Sequence, residues 1–243
     1  MKERKSIRKY LSRKIDRSVL HELLEIACRA STTGNMQLYS IVITEDDEMK
    51  VKLAPAHFNQ PMVKSAPVSL TFCADFRRFT KWCNDRKAKP GYNNYLSFMN
   101  AVIDAMLVAQ TFCVAAEEKG LGICYLGTVL YNSKQIIDTL ELPELVFPIT
   151  TITVGYPDEN PDQVDRLPLE AIIHNETYKD YTSDAINEFY ALKESLEESR
   201  KYIAENQKET LAQVFTDVRY KKDDNERISE DLLVQLKKQG FLK

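Results

Sequence analysis

The sequence lacks the cysteine spacing of a disulfide or metal frame. Cys28, Cys73, Cys83, Cys113 and Cys124 are odd in number, and no two of them stand at C-x-x-C spacing. That pattern reads as reduced thiols in a cytosolic protein. Histidines are sparse and scattered, at His21, His57 and His174, so zinc-ligand spacing is missing as well. There is no cationic surplus: 33 Lys and Arg stand against 36 Asp and Glu, a net charge of -3. A chain of that balance is a poor match for a phosphate backbone, which excludes nucleic acid as the expected partner. Long hydrophobic runs are absent too. The most apolar stretch, Ala105 to Ala116, is interrupted by Gln110 and Thr111 and reads as too short and too polar to span a bilayer. Met1-Lys2-Glu3-Arg4-Lys5 has no apolar run behind it, so neither a secretory signal nor a membrane partner is expected, and the expected location is cytoplasmic. The glycine motifs of nucleotide-binding folds are also missing. Gly120-Leu121-Gly122 follows a helical stretch and precedes a strand, the reverse of the dinucleotide fingerprint, and there is no P-loop.

What is present suits a folded core. The chain has 243 residues, 44% of them hydrophobic and 28% charged. Asp16 is placed to cap a helix carrying Val19, Leu20, Leu23, Leu24 and Ala27. Strand signals fall at Leu38–Thr44, Val68–Cys73, Ile123–Leu126 and Ile149–Val154. A long helix is expected from about Asn93 to Lys119, closed by Gly120. Its apolar residues cover more than one face, so burial from two sides is expected. From Asp184 the chain reads as helical, charged and poor in apolar residues, ending in a short amphipathic helix from Ile228 to Phe241. The expectation is one α+β domain over residues 1–243. Its charged helical C-terminal extension, about 184–243, would lie over another surface.

Several segments could carry chemistry. Arg4-Lys5-Ser6-Ile7-Arg8 places two guanidiniums and a hydroxyl within five residues, donors that match a phosphate, although a solvated basic tail reads the same way. Ser31-Thr32-Thr33-Gly34-Asn35-Met36-Gln37 is a small polar turn whose hydroxyls and amides could read the edge of a heterocycle; the plain alternative is a helix-stop loop. Glycine at both ends of the short strand in Gly122-Ile123-Cys124-Tyr125-Leu126-Gly127 permits close backbone approach to a ligand. Arg166-Leu167-Pro168 is weak alone. Trp82, Tyr92, Tyr95 and Phe98 could wall a planar pocket, with ordinary packing as the favoured reading.

The order of these segments is more telling than any one of them. Arg-x-Ser-x-Arg, Ser-Thr-Thr-Gly-Asn-x-Gln, Gly-Leu-Gly, Val-Gly-Tyr-Pro and Arg-Leu-Pro follow one another in a succession that resembles the FMN-dependent nitroreductase superfamily. Phe72-Cys73-Ala74-Asp75-Phe76 and the ending Lys238-Gln239-Gly240-Phe241 resemble its branch of oxygen-insensitive nitroreductases and flavin reductases. The resemblance implies an α+β, three-layer fold with a central, mostly antiparallel sheet flanked by helices. It also implies an intertwined homodimer with non-covalent FMN at its interface, and NADPH or NADH as reductant. Small planar oxidised substrates (nitroaromatics, quinones or flavins) would be reduced by ping-pong hydride transfer through flavin N5. By the same resemblance, Arg4, Ser6 and Arg166 contact the FMN phosphate, and Arg8 sits near N1 and O2 of the ring. Thr32, Thr33, Asn35 and Gln37 line the cofactor, Gln60 reads the pyrimidine edge, and the backbone of Leu126, Gly127 and Thr128 approaches N5 and O4. No side-chain nucleophile is implied; Arg8 is the residue expected to stabilise reduced flavin.

Two departures from the branch stand out. Val164 occupies a position that usually carries a basic residue, and Leu130 and Tyr131 stand where an arginine often follows the strand glycines. NADPH selectivity and pocket gating by Trp82 or Tyr131 are therefore left open. So are two alternatives: the same fold with flavin fragmentation or dehalogenation chemistry, and a non-catalytic FMN-binding or interaction module.

Overall fold

The computed structural model describes residues 2–242. The described parts of Met1–Asp162 and Glu230–Lys243 form one compact unit, and Gln163–Ser229 a second. The first holds a sheet of β1 (Tyr39–Thr44), β2 (Val68–Asp75), β3 (Gly122–Leu126) and β4 (Val146–Gly155). Its order is β1-β2-β4-β3 with every pairing antiparallel. Both central strands, β2 and β4, are buried along their whole length, which is why they read as continuous apolar and β-branched runs rather than alternations. A bulge between Phe72 and Cys73 shifts the register against β4 and accommodates Pro148 inside it.

The helices of the first unit are α1 (Arg17–Ala27), α2 (Asp47–Leu53), α3 (Pro61–Ser65), α4 (Arg77–Asp85), α5 (Tyr95–Glu118) and α6 (Ser133–Thr139). One sheet face, with Leu70, Phe72, Ile152, Val154 and Ile123, packs with Leu23 of α1 and Ala105, Val108 and Phe112 of α5 in the main core. The opposite face carries Ser69, Thr71, Thr151 and Thr153, all buried, and the Thr71 and Thr151 hydroxyls bond at 2.9 Å. Beside it, Leu53 from α2 and Met62 and Val63 from α3 cluster with Cys124 and Leu126 of β3. The result is helices, sheet and helices in three layers.

The predicted elements form, with β2, β3 and β4 longer than expected, β1 one residue shorter, and the last helix at Lys222–Lys238 rather than Ile228–Phe241. Asp16 does precede α1, but its side chain makes no capping bond; Asn94 caps α5 by accepting from Ser97 N at 3.0 Å. Gly120 ends α5 at φ +77°, a left-handed conformation that glycine adopts without a Cβ clash. Two expectations need correcting. α5 spans 24 residues and contains an 18-residue window of mean hydropathy 1.6, so by length and composition it could cross a membrane; half of that window is buried inside the protein. The stretch from Ala105 to Ala116 is only part of that helix. Burial from two sides is also not met within one chain. Ala101, Ala105, Val108 and Phe112 are buried, but Leu96, Ile103, Met106 and Leu107 are exposed.

The second unit contains α7 (Ser183–Ser195), α8 (Glu197–Glu205), α9 (Leu211–Val214) and a π-helical turn, Phe215–Arg219. It buries Ser199, Leu211 and Val214 and no other residue, matching its expected poverty in core. α10 (Lys222–Lys238) begins there and ends in the first unit, where Phe241 is fully buried against Phe98 at 5.2 Å between ring centroids.

Candidate functional site

The basic N-terminal segment lies against the sheet. Ile7 N donates to Ile123 O at 2.9 Å and Leu11 N to Tyr156 O at 2.9 Å. The approach to β3 is close enough that a Cβ at Gly122 would stand 2.7 Å from Ile7 side-chain atoms. Tyr10 fastens the segment, its hydroxyl bonding to Ile7 O at 2.6 Å and to Thr153 Oγ1 at 2.8 Å. Burial raises the ionisation of that phenol above its ordinary range, so it stays a hydroxyl. Ile7 is buried, Arg4 and Ser6 are half-buried, and Arg8 is exposed. Arg4 pairs with Glu117 at 3.6 Å; burial raises the Glu117 carboxyl and Arg4 lowers it. The backbone amides of Arg8 and Lys9 donate to Glu159 Oε1, while the Arg8 side chain is exposed.

Beyond Ile123 the strand delivers three further candidates. Leu126 and Thr128 are buried, whereas Gly127 is exposed and the place of its missing Cβ has no atom within 4 Å. A flat ligand can therefore approach the backbone there. Thr128 spends its hydroxyl inside the protein, on His57 Nδ1 at 2.8 Å. Gln60 is half-buried at the start of α3, and its N–H donates to His57 O at 3.1 Å.

The loop from Thr32 to Gln37 is clamped from behind. Asp104, fully buried on α5, accepts from Thr33 N at 2.8 Å, Thr33 Oγ1 at 2.9 Å and Leu38 N at 3.0 Å. A buried carboxylate with three donors is satisfied without a cation. Arg78 of α4 donates to Gln37 O and to Tyr39 O. Between the clamps, Gly34, Asn35 and Gln37 all take positive φ, near +55°, and Asn35 and Gln37 face outward. For glutamine that conformation is uncommon and needs its surroundings to enforce it. Thr33 is thus an anchor of the loop, and its hydroxyl is already engaged. Thr32 is half-buried.

Arg166 belongs to the second unit, where its guanidinium donates to Asp165 O at 2.8 Å and Asp165 pairs with Lys193 at 2.8 Å. Neighbouring Val164 is 67% exposed. Of the aromatic group, Phe98 and Tyr92 are packing residues: Phe98 meets Phe147 edge-on, and Tyr92 stacks on Phe76 at 4.7 Å. Trp82 remains 55% exposed. An open groove of about 940 Å³ runs past Lys14, Thr44, Lys50 and Ala66, and none of the candidate residues lines it. Sequence reasoning missed Asp104, Arg78, Glu159 and His57. Only Asp104 left a signal, as the one charged residue in the apolar run from Tyr95 to Ala116.

Comparison with known proteins agrees with this layout. Residues 1–156 match the nitroreductase family. A Bacillus subtilis protein named FMN reductase [NAD(P)H] is 34% identical over 178 residues, 72% of each chain. The B. subtilis nitroreductase NfrA1 superposes with a TM-score of 0.86 at 28% identity, over 98% of this chain and 96% of that one. A crystal structure from Bacteroides fragilis NCTC 9343 superposes at 0.98 with 65% identity, over 100% of this chain and 98% of its own. With the sheet order, the seated basic segment and these matches together, the chain belongs to the nitroreductase family.

Proposed function

We propose that the chain is an FMN-dependent NAD(P)H oxidoreductase, acting as a homodimer on small planar oxidised acceptors such as nitroaromatics, quinones or flavins. The observation that carries this reading is the seating of Arg4 to Arg8 on β3, the strand that ends in the open backbone of Gly127. A cationic, hydroxyl-bearing segment on the strand that leads to an uncovered glycine suits a phosphate attached to a flat ring, so the residues present fit FMN. FMN supplies the chemistry when bound: it takes two electrons from the nicotinamide and gives them to the acceptor.

The chain's own work is to hold and tune. Arg4 and Ser6 offer charged and neutral donors to the phosphate. Arg8 brings an exposed guanidinium to the edge where reduction accumulates negative charge, which favours the reduced state. Asn35, Gln37 and Gln60 present amides that donate and accept in one plane. Backbone N–H groups after Leu126 orient the ring. Thr33 acts through the loop that it anchors to Asp104.

The dimer is supported by α5. Leu96 is 70% exposed and Ile103 50% exposed, and with Met106 and Leu107 they form an apolar stripe that a second copy would cover. Five free cysteines suit a reducing compartment. The test is a visible spectrum of the purified protein followed by anaerobic titration with NADH and NADPH separately. A yellow protein that bleaches with either, and recovers on adding a nitroaromatic or quinone, is expected. A preparation that stays colourless after soaking in FMN overturns the reading.

A further inference from the structure

His57 is the one histidine in the core, fully buried, and nothing above requires an imidazole there. Its Nδ1 bonds Thr128 Oγ1 at 2.8 Å, while its Nε2 is buried without a hydrogen-bond partner. A buried ring nitrogen left unpaired costs stability in either tautomer. A residue kept at that cost at a packed position, where leucine would fill the space, invites a functional explanation.

The surroundings supply one. Before β2, the chain turns through Phe58 and Asn59, both at positive φ, +53° and +54°. The turn is held at its base, where Asn59 N donates to Ala54 O at 2.8 Å and Gln60 N to His57 O at 3.1 Å. Gln60 is the amide proposed to read the pyrimidine edge. On the other side of the same residue, the ring holds Thr128, which follows the open Gly127. Asn132 closes the arrangement: its Nδ2 donates to Ala56 O at 2.9 Å, and its backbone N–H to Thr128 O at 3.2 Å. Two segments far apart in sequence, residues 56–60 and 126–132, are thereby tied into one frame, each bearing a candidate flavin contact.

We propose that His57 is a positioning residue that locks Gln60 and the Gly127–Thr128 backbone at a fixed spacing, and through them sets flavin affinity and potential. The inference rests on the FMN reading above. Burial pushes the imidazole down to about 4, so the ring is neutral wherever the enzyme works and the lock does not open with ordinary changes in pH. Apolar walls support the same point. Ala56 and Val129, the chain neighbours of His57 and Thr128, form a small separate apolar cluster with Ile136.

The test is a coupling cycle read on the cofactor. His57→Leu, Thr128→Val and the double variant are prepared as apoprotein, and each is titrated with FMN by flavin fluorescence quenching below its unfolding temperature. The flavin midpoint potential of each is then measured. Either single change should weaken FMN binding by about tenfold, the size of one lost oriented hydrogen bond, and displace the potential in a common direction. The double variant should be no weaker than the worse single one, because both changes break the same link. Thr128→Ser, which keeps the hydroxyl, should behave like the unmutated chain. If His57→Leu does not fold, the contrast between Thr128→Val and Thr128→Ser decides the matter. Folded variants with lowered thermal stability but unchanged FMN affinity and potential would make His57 a core residue only and overturn the inference. An unmutated chain that takes up no FMN would overturn the functional reading and this inference together, so the two failures are told apart.

Discussion

Gly122 is where residue chemistry most directly controls the candidate site. Its missing Cβ lets Ile7 lie on β3, and alanine there would push side-chain atoms to 2.7 Å. Gly122→Ala should therefore cost about 1–3 kcal/mol through overpacking, and it should lift the segment bearing Arg4, Ser6 and Arg8. Chemical denaturation would read the first effect and FMN titration the second; an unchanged affinity would show that the segment's seat does not matter for binding. His57 gives a pH prediction. Its folded ionisation, about 4, lies below the ordinary 6.5, so between those values the unfolded chain binds a proton that the folded chain refuses. Stability should fall as pH drops from about 6.5 to about 4 and then level off, by at most on the order of 3 kcal/mol from this group. In His57→Leu that slope should be absent from the denaturation midpoints. Asp104→Asn should replace one acceptor oxygen with a donor facing an N–H group, costing about 1–3 kcal/mol. Faster hydrogen exchange at Thr33 and Leu38 would report it. The candidate site could be proposed at this scale because the segments bearing Arg4, Ser6, Arg8, Asn35 and Gly127 follow one another in a recognisable order. Asp104 and His57 act on groups distant in sequence, Thr33 and Thr128, and spacing carries no trace of such pairs.

Among the elements, α5 shows how far a hydrophobic pattern can be read. The sequence predicts an apolar helix with more than one apolar face, and one chain provides cover for only one of them. Buried positions 101, 105, 108, 109 and 112 follow helical spacing, and exposed positions 96, 103 and 107 trace a second stripe at spacings of seven and four. A solvent-facing helix of an ordinary monomer would not be expected to carry that stripe. Charging it with Ile103→Glu and Leu107→Glu together should convert dimer to monomer in sedimentation velocity, while the circular dichroism of the protomer is retained. Dimerisation unaffected by both charges would place the interface elsewhere. Strands and long helices were readable because their periods persist over many residues. α2, α3 and α6 were not, having only five to seven residues each, less than two turns. α4 carries a weak signal for another reason: Arg77, Arg78 and Lys81 interrupt its apolar positions, Phe79 and Trp82.

Taken as a whole molecule, the chain divides its apolar residues unevenly between its two units. The first holds a continuous core from α1 across the sheet to Phe241. Gln163–Ser229 buries only Ser199, Leu211 and Val214, yet exposes Leu169, Ile172, Ile173, Tyr178 and Leu192. Its helices are short, and surface ion pairs such as Lys208–Asp217 are screened by water and add little. A segment of this length with so small a core cannot offset the conformational entropy lost on ordering. As an isolated fragment, residues 163–229 should show weak helical circular dichroism that fades gradually with heat, without a cooperative transition. In the full-length protein the same helices should unfold together with the rest, and the unfolding temperature should rise with protein concentration if a second copy covers the exposed apolar residues. A fragment that melts sharply on its own would remove the need for such cover. The dimer reading would then stand on α5 alone.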